Sequence, residues 1–167
     1  MEFRDLRADD HAVVLALNNG ALPAVSALDG EGLVALVEEC SHAIVAVAGD
    51  GSVGGFCITF RRGASYESVN YRWFSERYDA FEYLDRIVVA PSERGSGIGA
   101  AIYSELERRI AGAVPWLLCE VNVKPLNAGS LRFHRRIGFA EVGQQDTDAG
   151  AKRVSLLAKP LEHPTPE

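Results

Sequence analysis

Long apolar runs are missing from this chain of 167 residues; no stretch approaches the ~18 residues that a membrane-spanning helix needs. The first residues, Met1-Glu-Phe-Arg-Asp, lack the apolar core of a secretion signal, so the expected location is the cytoplasm, with no membrane partner. Basic clusters are missing too. Lysine and arginine never run beyond adjacent pairs, and 17 of them against 23 acidic residues leave a net charge of −6. That balance removes the electrostatic footprint of a nucleic-acid binder and makes a cationic partner the easier expectation. Cysteine is scarce. Cys40, Cys57 and Cys119 are odd in number, lie in apolar segments and show no C-x-x-C spacing, which argues against a disulfide framework and for buried thiols. No metal is expected. Repeats and low-complexity segments are also absent, apart from a proline-rich end.

What is present is the composition of a soluble globular protein, 47% hydrophobic and 24% charged. A chain of this length forms one domain that buries roughly 68–70% of its unfolded surface. Residues 1–160 are read as that domain and 161–167 as a tail that frays. Residues 2–7 alternate as a short strand. Asp9 or Asp10 then caps a helix with apolar Val13, Val14, Leu15 and Leu17, ended by Asn18-Asn19-Gly20, and a second helix spans about Asp29 to Cys40. Gly49-Asp50-Gly51 joins two apolar β-rich runs, Ala43–Ala48 and Val53–Phe60, as a hairpin. After a connection over 61–81 come strand 83–89, helix 100–112, strand 116–123, helix 127–137 and two strands near 139–144 and 152–158. The order β-α-α-β-β-β-α-β-α-β-β predicts an α/β (α+β) architecture, a mixed sheet covered by helices.

The most informative stretch is Ile87-Val-Val-Ala-Pro-Ser-Glu-Arg-Gly-Ser-Gly-Ile-Gly99. An apolar strand runs into an arginine and three alternating glycines, followed by apolar Ala101, Ile102, Leu106 and Ile110 at helical spacing. Glycine permits positive φ and close approach of a ligand, and the amides of a first helical turn favour phosphate. A Walker A loop is excluded, because Ala100-Ala101 stand where Lys-Ser/Thr is required. The spacing Gly95-x-Gly97-x-x-Ala100, with Glu120 about 20 residues on, imitates a dinucleotide fingerprint. That reading fails on position, because Ala90-Pro-Ser-Glu-Arg94 separates the strand from the glycines and a hairpin-rich half precedes it.

The remaining pattern, Arg94-x-x-Gly97-x-Gly99, resembles the pyrophosphate loop of the GNAT superfamily of acyl-CoA-dependent N-acetyltransferases, and Val88-Val-Ala-Pro91 resembles the strand end before it. Downstream, Glu120-Val, Asn127-Ala-Gly-Ser130 and Phe133-His-Arg-Arg-Ile-Gly138-Phe139 resemble the second signature of that family, in the right order. The resemblance covers roughly residues 2–158 and is strongest over 83–139. It implies a mixed, largely antiparallel central sheet flanked by helices, and acetyl-CoA or a related acyl-CoA as co-substrate. By the resemblance, the pyrophosphate lies on Arg94, Gly95, Ser96, Gly97, Ile98 and Gly99, and the pantetheine lies along Ile87, Val88 and Val89. Asn127, Ser130, Phe133 and His134 complete the cofactor residues. Relatives often dimerise through their C-terminal strands, so a homodimer is an expectation.

Acetyl transfer to nitrogen needs a neutral amine. A lysine-like amine with a pKa of about 10.4 costs about 4–5 kcal/mol to neutralise at pH 7, which a general base offsets, and the leaving thiolate needs a proton donor. Two acids sit in apolar strands, Glu120 in Leu117-Leu-Cys-Glu-Val-Asn-Val123 and Asp85 in Tyr83-Leu-Asp-Arg-Ile-Val-Val89. Glu120 resembles the catalytic glutamate position of the ribosomal-protein alanine acetyltransferases and is the first candidate. The plainer reading of both is a half-buried ion pair, as of Asp85 with Arg86 or Arg94. His134 stands where the family usually has the tyrosine that protonates coenzyme A; it either keeps that role with a changed pH profile or is a helix-surface histidine. Two extra residues and Pro125 separate Glu120 from Asn127 relative to the usual spacing.

Six of the fourteen aromatics fall between Tyr66 and Phe81. Tyr71 and Trp73 are the candidates for an acceptor pocket, since rings hold a cationic amine over their faces, while Phe74 and Tyr78 read as the buried side of a short helix. Asn19 is the further acceptor candidate, and helix termination is the plainer role of Asn18. The preferred acceptor is a primary amine of a small molecule. The alternatives are a protein N-terminus or lysine, or a non-catalytic acyl-CoA-binding module.

Overall fold

The computed structural model describes residues 1–162 and divides them into two compact units, Met1–Phe60 with Leu84–Arg109, and Arg61–Tyr83 with Ile110 onward. In the first unit, strand β1 (Glu2–Asp5) precedes helices α1 (His11–Gly20) and α2 (Gly30–Glu39). Asp29 caps α2, its carboxylate accepting from the Gly32 amide at 2.7 Å. Strands β2 (His42–Val47) and β3 (Val53–Arg61) form the expected hairpin, closed where Gly51 takes φ +86°. Both are buried along nearly their whole length, which is why they read as unbroken apolar runs and not as alternating ones. Gly55 is there for space. A Cβ on it would lie 2.8 Å from the Val88 carbonyl oxygen.

Strand β4 (Glu82–Val89) is the element that both units share. Helix α4 (Ile98–Ile110) completes the first unit, and it begins two residues before the expected 100 because Gly97 and Ile98 already take helical hydrogen bonding. The second unit holds helix α3 (Val69–Ser75), strand β5 (Trp116–Lys124), helix α5 (Ala128–Arg136) and strands β6 (Ala140–Thr147) and β7 (Lys152–Pro160). The strands hydrogen-bond in the order β1-β2-β3-β4-β5-β7-β6, a mixed, mostly antiparallel seven-stranded sheet flanked by helices; β4 and β5 pair in parallel.

Helix α3 adds an element to the expected order: it is the short helix suggested by Phe74 and Tyr78, although Tyr78 lies past its end. Its seven residues are too few to show a period, and the helix exists because Ser68 caps it and Phe74 is buried beneath it. Helix α5 ends in a Schellman motif. The Gly138 amide donates to Arg135 and the Phe139 amide to His134, Gly138 takes φ +104°, and the turned chain delivers Phe139 to the core. The expected tail is ordered at its start, since Leu161 donates to Pro115 at 2.9 Å, and residues 163–167 lie outside the described ones. Cys57 and Cys119 are buried as expected, Cys40 is half-buried, and none forms a disulfide. No helix of the described residues is long and apolar enough to cross a membrane.

Gly55→Ala is expected to lower stability by about 1–3 kcal/mol, because the added methyl meets backbone that cannot move aside. An unchanged urea midpoint would contradict this.

Candidate active site

Strand β4 ends at Val89, and the Ala90 amide is held by the Gly54 carbonyl at 2.8 Å. A single turn over Pro91–Glu93 then turns the chain so that Arg94, Gly95, Ser96 and Gly97 form an exposed loop into α4. Gly95 and Gly97 stand at φ +80° and +89°, where an L side chain is strained, and a Cβ on either would meet nothing within 4 Å. The space over the loop is therefore open. The first α4 bond runs from Ala101 to the Gly97 carbonyl at 3.0 Å, so the amides of Ile98, Gly99 and Ala100 have no intrahelical acceptor. An exposed guanidinium, positive-φ glycines and first-turn amides fit a diphosphate. Ile98 contributes its amide to this cradle, since its side chain is buried and reaches toward Gly54. The Ser96 hydroxyl is committed to the Glu93 carbonyl. Along β4, Val88 faces inward while Ile87 and Val89 remain half-exposed.

Asp85 has the plainer partner considered for it. Arg86 Nε donates to its carboxylate at 2.6 Å, with both side chains under a tenth exposed. Arg86 also donates to Asn18 Oδ1 at 2.9 Å and to the Ser26 carbonyl and hydroxyl. Asn19 clips the same connection, donating to the Leu28 carbonyl at 2.8 Å and accepting from the Leu28 amide at 3.0 Å. Both asparagine side chains thus hold the α1–α2 connection in place.

In the second unit, Glu120 is half-exposed between the buried Cys119 and Val121 on β5, and its two carboxylate oxygens lie 2.8 and 2.7 Å from the Tyr83 hydroxyl, which donates to them. Nothing in the sequence marks Tyr83, because the contact depends on the parallel register that sets Tyr83 opposite Leu118. Asn127 caps α5, accepting from the Ser130 amide at 3.2 Å. One turn on, His134 is buried, which corrects the helix-surface alternative; its ring packs against Phe133 and Phe139. Its Nδ1 lies 2.7 Å from the Ser130 carbonyl, an acceptor only, so Nδ1 carries the proton. Burial holds its pKa below the usual histidine value, against the opposing pull of that bond.

Tyr71 is nearly buried, with its hydroxyl donating to the Arg61 carbonyl at 2.7 Å and accepting from the Ala64 amide at 3.1 Å. It forms part of the wall of a cleft of about 520 Å³, with Ser65, Tyr66, Glu67, Ser68 and Arg72. Trp73 does not line it; its ring packs over Gly143, where a Cβ would lie 2.7 Å away, and the Arg77 guanidinium stacks on it at 3.9 Å. Phe74 is buried and Tyr78 lies past the helix end, half-buried against Trp116. Among the described residues no group of three or more His, Cys, Asp or Glu is placed to hold a metal ion.

Comparison with known proteins identifies the family. Residues 39–141 match the family model described as acetyltransferase (GNAT) domain, and the chain belongs to that family. It is accordingly an acetyl-CoA-dependent N-acetyltransferase. No curated protein sequence matches it. Among solved structures it is similar to the ribosomal-protein-S18-alanine N-acetyltransferase of Escherichia coli, at 16% identity over 98% of this chain and 96% of that one, with a TM-score of 0.73. Chaetomium thermophilum Naa20 in complex with a bisubstrate analogue is 17% identical over 96% and 87%, with a TM-score of 0.75. YncA of Salmonella typhimurium with its cofactor acetyl-CoA is 20% identical over 100% and 98%, with a TM-score of 0.71. At such identities the shared feature is the fold.

Gly97→Asp is expected to abolish acetyl-CoA binding in calorimetry, because it sets a carboxylate where the phosphates belong and strains a positive-φ position. His134 gives a pH signature. Its folded pKa lies below the unfolded value of about 6.5, so the unfolded chain binds the proton first and stability falls as pH drops below that value. Urea midpoints between pH 7.5 and 5 should decline, and His134→Asn should flatten that part of the slope.

Proposed function

We propose that the protein transfers the acetyl group of acetyl-CoA to a primary amine of a small-molecule acceptor by direct attack, with Glu120 as general base. Bound acetyl-CoA supplies the activated thioester. The cradle amides and Arg94 hold its diphosphate, and Ile87, Val88 and Val89 offer the strand along which the pantetheine runs. The observation that carries the base assignment is the placement of Glu120, a half-exposed carboxylate on a strand whose neighbours are apolar and buried. Asp85 is the weaker candidate, because its carboxylate is already paired with Arg86 and shielded from solvent.

Glu120 takes the proton of the acceptor ammonium, which makes the nitrogen nucleophilic. The departing thiolate needs a proton in return. A neutral His134 has its one N–H committed to the Ser130 carbonyl, so at neutral pH it serves the packing of α5, and the proton reaches sulfur through solvent. The small-molecule acceptor is favoured by the cleft of Tyr66, Glu67, Tyr71 and Arg72, whose volume lies within the range of ligand sites and whose rings suit a cationic amine.

Glu120→Gln is expected to keep acetyl-CoA affinity and to lower turnover about 10²- to 10⁴-fold, read as coenzyme A release against a panel of small amines and N-terminal peptides. Full turnover would remove Glu120 as base. Release with peptides alone would overturn the small-molecule acceptor, and binding without release on any acceptor would mean a binding module.

A further inference from the structure

We infer that Tyr83 is a positioning residue for the reaction: its buried hydroxyl fixes the Glu120 carboxylate, and the aromatic insertion over 61–81 holds that tyrosine in place. The inference rests on the reading of Glu120 as base. The Tyr83 side chain is fully buried, and its hydroxyl lies nearly midway between the two carboxylate oxygens, at 2.8 and 2.7 Å. A phenol carries one proton, so the contact is shared by both oxygens. A glutamate on a strand otherwise turns about three side-chain bonds, and a donor straddling both oxygens selects one orientation.

The hydroxyl itself is held by the ring that bears it. Tyr66, Tyr71 and Phe74 contact the Tyr83 ring at centroid distances of 6.3, 5.5 and 5.9 Å, the second and third edge-on or tilted. All three belong to the insertion. Tyr71 is in turn anchored at its own hydroxyl by Arg61 and Ala64 and at its ring by Phe81, 5.9 Å away. The insertion thus has a second role beside the cleft. Its rings form a cage around Tyr83, which reaches the candidate base through one phenol.

A residue acting through Glu120 must lose its effect when Glu120 is gone, whereas a residue needed only for packing must not. The experiment is a double-mutant cycle in the full chain, with Tyr83→Phe, Glu120→Gln and the pair, reading kcat, the KM for acetyl-CoA and the urea midpoint. Tyr83→Phe keeps the ring in its cage and removes the donor. The expected result is a kcat lower by about ten- to a hundredfold with an unchanged KM for acetyl-CoA, and no further loss when it is added to Glu120→Gln. Unchanged kcat in Tyr83→Phe, or losses that multiply in the pair, would overturn the inference while leaving the base assignment intact if Glu120→Gln alone is impaired. Full turnover in Glu120→Gln would overturn the base assignment and the role of Tyr83 with it. Should Tyr83→Phe lower the urea midpoint sharply, the coupling in the cycle still decides, because a packing defect persists in the Glu120→Gln background.

Discussion

Strand β4 buries a row of polar side chains, and the satisfaction of each is the constraint around which the rest is arranged. Glu82 and Tyr83 are fully covered, and the Asp85 and Arg86 side chains are nearly so. A buried charge or hydroxyl without a partner is costly, so each demands a tie to another segment. Glu82 takes Arg61 at 3.1 Å, Tyr83 takes Glu120, and Arg86 takes Asp85, Asn18 and Ser26. No buried side-chain nitrogen or oxygen among the described residues is left without a hydrogen bond. Within the second unit Glu82 and Tyr83 thus tie down the start of the 61–81 segment and Glu120, and within the first unit Arg86 ties down the connection between α1 and α2.

The same logic divides the two carboxylates that competed for the role of base. Asp85 and Glu120 look alike in sequence, each an acid in an apolar strand. Asp85 lies against a buried guanidinium that has three further acceptors, which makes it part of a structural ion pair. Glu120 keeps partial exposure and accepts from the Tyr83 phenol.

The cradle was the most legible part of the site, because its chemistry is local: glycines at positive φ and a helix start are properties of six consecutive residues, from Arg94 to Gly99. The Gly138-Phe139 ending of α5 was legible for the same reason, as a helix stop that returns a ring to the core. Helix α3 was legible only as a short helix with Phe74 on its buried side, without bounds. Seven residues give under two turns, too short for periodicity to separate a helix from an aromatic loop. Tyr71 and Trp73 illustrate the difficulty: one forms the cleft wall while its hydroxyl ties the loop, and the other lies on Gly143, seventy residues away in the chain. The two readings of His134 are not separable in sequence, because its arginine neighbours face solvent while one helical step turns its own ring inward.

By itself the sequence determined the order of strands and helices apart from the place of α3, the glycine loop that opens α4, and the family, all of which rest on short-range patterns of glycine, apolar spacing and caps. The tertiary structure alone decided that Asp85 pairs with Arg86, that His134 is buried with its proton on Nδ1, and that Tyr83 meets Glu120. Those outcomes depend on strand register and on burial. The parallel pairing of Tyr83 with Leu118 is a contact between segments far apart in the chain, and the electrostatic character of a carboxylate follows from what such pairing places around it.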